Sequence, residues 1–262
     1  SDLALERKLE EKYGLTEALI AVPAYEQSSD QEVAFQAVDY ILRVLKKNMV
    51  FGMTWGRAMH EFVEQLAKDE RLRSLSFQNV KVVPFLGTPG AIQSDSWNTT
   101  TYSNTLATKV GNLLHCASYN LSAPMYVEGT KEKELIESID EIAKVLHMAE
   151  TADIALIGIG SMQDDSSIIK AEIRTKEEYK ELVRKGAVGE IVGRIYDKNG
   201  QTVDEDLKRK MVGISLDKIA KIPVRVGMSY GKDKIEAIKG AIAGGLVNVL
   251  VTDVPTAELL LK

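Results

Sequence analysis

The residues able to do chemistry are few and scattered. The single cysteine, Cys116, stands among Leu113, Leu114 and His115 and reads as a packed thiol. His60, His115 and His147 show no metal-ligand spacing. The sequence holds no complete G-x-x-x-x-G-K-[ST] phosphate loop, no strand-linked G-x-G-x-x-G fingerprint and no G-x-S-x-G elbow. Neither a nucleotide cofactor nor a serine nucleophile is signalled, and no metal or other cofactor is expected. Acid–base work would fall to Asp197, Asp253, Asp164 or a lysine. What the chain does hold is a set of short polar turns: Thr54-Trp55-Gly56-Arg57, Gly87-Thr88-Pro89-Gly90, Gly160-Ser161, Asp197, and Ser229-Tyr230-Gly231-Lys232-Asp233-Lys234. Their chemistry is that of reversible binding. Backbone N–H groups at a helix start, joined by a lysine, suit a phosphate. Hydroxyls and carboxylates suit sugar hydroxyls. Taken singly these turns are unspecific: Lys234 alone reads more often as a solvated lysine, Asp253 equally as a helix cap, and Trp55 and Trp97 as half-buried aromatics.

Their shared feature is position, because each follows an apolar run of strand length. The strands expected are Ala18–Val22, Val50–Met53, Val80–Leu86, Met125–Val127, Ile154–Ile159, Ile191–Tyr196, Val224–Met228 and Val247–Thr252. Between them lie amphipathic stretches, with Val33, Ala37, Val38, Ile41 and Leu45 on one face of the first. Met59, Phe62, Val63 and Leu66 mark the next, then a helix over 103–118, one over 131–148, another over 232–243 and a closing one over 256–261. Strands alternating with helices predict a doubly wound, mostly parallel α/β sheet. In such sheets ligands sit beyond the carboxyl ends of the strands, where the polar turns fall. Residues 1–14 read as a lead-in helix or linker and 15–262 as one α/β domain. Within it the charge-dense region 172–216 is an inserted subdomain or a cover over the sheet's edge.

The bulk numbers exclude other classes. At 262 residues, 45% hydrophobic and 27% charged, the chain has material for a large core. A net charge of −5 with no basic stripe makes it a poor nucleic-acid binder by itself. No apolar run reaches bilayer length and no signal peptide is visible. One cysteine excludes an internal disulfide, so a cytoplasmic setting without a membrane partner is expected.

Four motifs in order resemble one family across nearly the whole chain: Gly52-Met53-Thr54-Trp55-Gly56, Ala152–Ser161, Gly186–Asp197, and Lys234 through Asp253. The chain resembles the effector-binding, or sugar-binding, domain of the SorC/DeoR-type bacterial transcription regulators of sugar metabolism. The resemblance implies a fold similar to ribose-phosphate isomerase, glucosamine-phosphate deaminase and CoA-transferase domains. It also implies a phosphorylated sugar as effector, no catalysis, and a homo-oligomer, dimer or tetramer. DNA would be contacted only through a preceding helix-turn-helix domain; Ser1-Asp2 opens the chain without a methionine, consistent with such a domain. By position it assigns Thr54, Trp55 and Gly56 to the first ligand loop and Gly87, Thr88 and Gly90 to the second. Tyr102, Ser103 and Asn104 fall at a polar helix start, Asp197 after the Gly193-Arg194-Ile195-Tyr196 pattern, and Lys234 at a phosphate-binding turn. Gly160 and Ser161 join the set from their place after a strand. Two departures stand out. Tyr230 replaces a glycine of the lysine turn, so Lys232 is expected to share the anion. Leu86 stands where some relatives place a Schiff-base lysine, so binding is expected to be non-covalent. The alternatives are a sugar-phosphate isomerase or deaminase of similar fold, and an α/β oligomerisation module without a ligand.

Overall fold

The computed structural model describes residues 2–24, 29–89, 102–164 and 166–262; Gly90 and Trp97 lie outside these ranges. The chain opens on α1 (Leu3–Tyr13), capped by the Asp2 carboxylate and ended by Gly14 in the left-handed region. There follow β1 (Glu17–Ala21), α2 (Ser29–Val44), β2 (Val50–Met53), α3 (Arg57–Ala67), β3 (Lys81–Pro84), α4 (Ser103–Leu114) and β4 (Ala117–Ser118). Next come α5 (Thr130–Ser138), α6 (Asp140–Glu150), β5 (Ile154–Gly158), β6 (Gly160–Ser161), α7 (Ser167–Lys170), α8 (Lys176–Arg184), β7 (Ala187–Ile191) and β8 (Arg194–Asp197). The chain closes through α9 (Glu205–Lys210), α10 (Leu216–Ile219), β9 (Val224–Met228), a 3-10 turn at Lys232–Lys234, α11 (Ile235–Ala243), β10 (Val249–Asp253) and α12 (Val254–Leu260).

Seven strands form one parallel sheet in the order β1-β10-β9-β5-β2-β3-β4. Alternate side chains feed two apolar layers. Phe51, Met53, Ile154 and Leu156 pack with α2, α3 and α4. Ala155, Ile157 and Leu250 pack with α1, α6, α11 and α12. The runs Ile154–Ile157 and Val249–Val251 are apolar throughout because a sheet covered on both faces buries both side-chain sets. Residues 3–13 are tied to this core: Leu9 is fully buried, and the Glu6 carboxylate accepts from Ile20 N–H on the open edge of β1. From β2 the chain proceeds to β3 on one side, while β5 leads to β9 on the other. The sheet reverses direction between β2 and β5, and that is where a parallel sheet opens a crevice.

Several sequence expectations differ from the structure. The seventh strand is Ala117–Ser118, which the helical reading of 103–118 absorbed; His115 turns left-handed and ends α4 first. Met125–Val127 is no sheet strand and makes only isolated bridges, such as Tyr126 with Met211. The single helix over 131–148 is two helices, broken at Ile139 in an extended conformation. Ile191–Tyr196 is no parallel strand. It is broken by Val192 and Gly193, both at positive φ, into the hairpin β7–β8, which joins β6 in a three-stranded antiparallel sheet. The 172–216 region supplies β7 and β8 of this small sheet with flanking helices, while β6 comes directly after β5. Its run 211–214 also pairs with the exit of β3, through Gly87 N–H to Val212 O and Ile214 N–H to Phe85 O.

Candidate functional site

At the exit of β2, Thr54 is 1% exposed; its N–H donates to Leu156 O, and its Oγ1 accepts from Gly158 N–H at 3.0 Å. The hydroxyl oxygen therefore laces β2 to β5 at the reversal point instead of facing a ligand outright. Gly56, at φ 111°, starts α3, where no side chain caps the helix and no acid lies in the first turn. Among the described residues no side chain takes up the first N–H groups of α3, which suits an outside acceptor. Trp55 packs in the apolar layer beneath, and its side chain hydrogen-bonds the Glu190 carboxylate.

The start of α4 is held beside this loop because the buried Ser103 hydroxyl donates to Met53 O at 2.8 Å. This helix start also lacks a side-chain cap. Asn104 spends its amide on Leu121, donating to its carbonyl and accepting from its N–H. Burial raises the pKa of the Tyr102 hydroxyl. Two uncapped helix starts thus flank the carboxyl end of β2; α5, α6 and α11 also start without side-chain caps, whereas α1, α8 and α12 are capped by Asp2, Thr175 and Asp253.

On the far side of β5 stands Glu190, which the sequence reading did not single out. Its carboxylate is buried; Oε1 accepts from Gly193 N–H at 2.7 Å, and the Trp55 side chain donates to it. The positive charge of Lys234 acts on it as well. A Cβ on Gly160 would lie 2.7 Å from its Oε2, so a side chain there would push the Glu190 carboxyl aside. Burial pushes the Glu190 carboxyl up to about 7, against the pull of Gly193 N–H, Lys234 and Trp55. Lys234 is half-buried and Lys232 exposed, so Lys234 is the inward lysine of its turn. Ser161, also buried, pairs with Gly189 in the small sheet. The clue in the sequence was the lone carboxylate in the apolar, glycine-bearing stretch Ala187-Val188-Gly189-Glu190-Ile191.

Two expected members sit differently. Gly87 and Thr88 use their N–H groups on Val212 O and Ala123 O, so this part of the second loop is framework; its Gly90 lies outside the described residues. A Cβ on Gly87 would meet Ala123 O at 2.3 Å and Pro124 C at 2.7 Å, both backbone atoms. Gly87→Ala is therefore expected to cost about 1–3 kcal/mol of stability, read from the urea midpoint. Leu86 is buried and bridges Gly213.

Asp197 is not brought to Lys234. Its placement at a strand exit assumed a parallel strand, and the hairpin turns that strand around. Its Oδ1 instead closes a turn, accepting from Asn199 and Gln201 N–H. Its carbonyl packs on Gly240, which lies six residues beyond Lys234, about 9 Å along a helix. Asp197→Ala should leave ligand affinity within about twofold, while losing about 1 kcal/mol of stability with the turn bonds; titration and melting check both.

Among the described residues no group of three or more His, Cys, Asp or Glu could hold a metal ion, and no helix is long and apolar enough to cross a membrane. At the carboxyl ends of β2 and β5 the starts of α3 and α4 lack side-chain caps, and beside them lies the buried Glu190 carboxyl, on which the charge of Lys234 acts.

The family described as "Putative sugar-binding domain" matches residues 1–262. The chain is 30% identical over 265 residues to the sorbitol operon regulator of Klebsiella pneumoniae, covering 100% of this chain and 81% of that protein. It is 26% identical over 262 residues to the deoxyribonucleoside regulator of Bacillus subtilis (strain 168), covering 99% and 80%. The solved full-length sorbitol operon regulator SorC from Klebsiella pneumoniae superposes with a TM-score of 0.88 at 28% identity, covering 100% of this chain and 82% of that one. A DeoR family regulator from Listeria monocytogenes gives 0.84 at 26% identity, covering 98% of each chain. These relatives are transcriptional regulators, not enzymes, which decides against the isomerase or deaminase alternative. The chain belongs to the family of sugar-binding effector domains of the SorC/DeoR transcriptional regulators.

Proposed function

We propose that the effector is a phosphorylated sugar bound in the crevice between β2 and β5. The observation that carries this reading is that Trp55, beside the uncapped start of α3, hydrogen-bonds the buried Glu190 carboxyl, on which the charge of the half-buried Lys234 acts. The N–H groups of α3 and α4 and the Lys234 ammonium hold the phosphate. Glu190 accepts from a sugar hydroxyl, and Thr54, Trp55 and Gly160 hold the walls in place. Tyr102 and Lys232 stand at the rim. Residues 1–14 lead into residues 15–262, and a separate preceding domain carries DNA binding. The ligand acts by favouring one state of a homo-oligomer, which it can do only through unequal affinity for two states.

A thermal-shift screen tests this with glucose 6-phosphate, fructose 6-phosphate, sorbitol 6-phosphate and deoxyribose 5-phosphate beside their unphosphorylated forms. Stabilisation grows as RT ln(1 + [L]/Kd), so about 100-fold excess over Kd yields about 2.7 kcal/mol. A rise with phosphorylated forms only is expected. Equal response to both forms, or none across an extended panel of sugar phosphates, would sink the reading.

A further inference from the structure

We propose that the tip of the β7–β8 hairpin fixes the spacing between Glu190 and the exit of β3, with Arg194 as the positioning residue. The affinity arm of its test rests on the effector reading above; the structural arm does not.

Val192 has φ 51° and is buried, although a β-branched side chain disfavours the left-handed region. Gly193 follows at φ 73°, and a Cβ there would lie 2.2 Å from the Met211 methyl carbon, so the tip is clamped against the 211–214 run. The same tip donates Gly193 N–H to Glu190 Oε1. The next residue, Arg194, is 4% exposed. Its guanidinium donates to Lys208 O at 2.7 Å, Gly213 O at 3.1 Å and Met211 O at 3.4 Å. Among the described residues its hydrogen bonds all go to backbone carbonyls and none to a carboxylate, and its Nε–H finds no acceptor. Glu137 of α5 is the one carboxylate whose field supports its charge.

A buried cation without a counter-ion is a costly way to hold a loop, and apolar packing would hold it as well. What a guanidinium adds is a rigid fork that fixes several carbonyls at once. The run held here frames the β3 exit: Gly87 N–H donates to Val212 O, Ile214 N–H to Phe85 O, and Leu86 bridges Gly213 antiparallel. Five residues, Glu190 through Arg194, therefore connect the Glu190 carboxyl to the chain leaving β3. The strained valine and the unpaired cation occur together there.

The experiment compares full-length wild-type, Arg194→Lys and Arg194→Met chains by amide hydrogen exchange without ligand. Gly87 and Ile214 amides should exchange about tenfold faster in both variants, the equivalent of one charge-assisted hydrogen bond. Leu156 and Val226 amides, in the central strands, should be unchanged. Lysine keeps the charge but not the fork, so it should fail to restore protection. Unchanged exchange at Gly87, a uniform rise including Leu156, or full rescue by lysine would each overturn the proposal. Should Arg194→Met fail to fold, Arg194→Lys decides by the same amides. In the second arm, glucose 6-phosphate, fructose 6-phosphate and sorbitol 6-phosphate are titrated into each protein. Those that bind wild type should bind the variants about tenfold more weakly; equal affinity would overturn the link to the site. Failure of all three to bind wild type counts against the effector reading, while the exchange arm still judges the clamp.

Discussion

Replacing Lys234 by alanine should weaken a phosphorylated sugar about a hundredfold and its unphosphorylated form by no more than about twofold. The loss corresponds to about 2–3 kcal/mol, the upper range for a hydrogen bond in which both partners are charged. Two features make Lys234, not Lys232, the critical cation. It is half-buried where Lys232 is exposed, and its charge reaches the Glu190 carboxylate. An exposed lysine contributes little because solvent screens it. Lys232→Ala is thus the internal control, with an expected change of about threefold or less. Calorimetric titration of both variants with both ligand forms measures this. Equal weakening of the two forms by Lys234→Ala would remove the phosphate role from that residue.

The second large effect is a pH dependence of stability that belongs to Glu190. Burial holds its carboxyl near 7 in the folded chain, above the ordinary 4.5. As pH rises between those values, the unfolded chain releases this proton before the folded chain does. Stability contributed by the neutral form is complete below the ordinary carboxylate value, falls as pH rises toward the folded value, and is flat above it. Across that window the loss is about 3 kcal/mol. Glu190→Gln keeps the shape and an acceptor for Gly193 N–H, and it should abolish that part of the slope. Urea midpoints at pH 5 and pH 8 give the comparison: wild type should lose stability relative to the variant on going to pH 8. Identical pH dependence in the two proteins would contradict the burial argument. Asp69 and Asp206, whose pKa values are lowered by Arg71 and Lys210, titrate on the acid side and cancel in the difference.

The sheet was legible because its central strands are unmixed apolar runs and its turns carry glycines: Val50–Met53 and Val224–Met228 are found with the expected bounds. The same reasoning failed at Ile191–Tyr196. An apolar run does not reveal whether it is one strand or two, and a valine in the left-handed region has no sequence signal. That one misreading misplaced Asp197 and hid Glu190, because reversing the strand swaps which residue meets the crevice. Ala117–Ser118 was missed for a different reason: two residues are too few to show any period. Gly87 was visible as a special position, but its cause is the Ala123–Pro124 backbone packed against it, and contact between chain segments that far apart cannot be read along the chain. Lys234 and Gly56 could be placed from sequence because a lysine or glycine at a helix start acts through local geometry.

The central claim is that a phosphorylated sugar occupies the crevice between β2 and β5. Backbone amide signals of Gly56, Ser103, Gly160, Lys234 and Asn199, followed while wild type is titrated with the sugar phosphate giving the largest thermal shift, test it most directly. Gly56, Ser103, Gly160 and Lys234 should move together along one saturating curve, while Asn199, in the Asp197 turn, stays in place. Movement centred on Asn199 with the other four unmoved would contradict it.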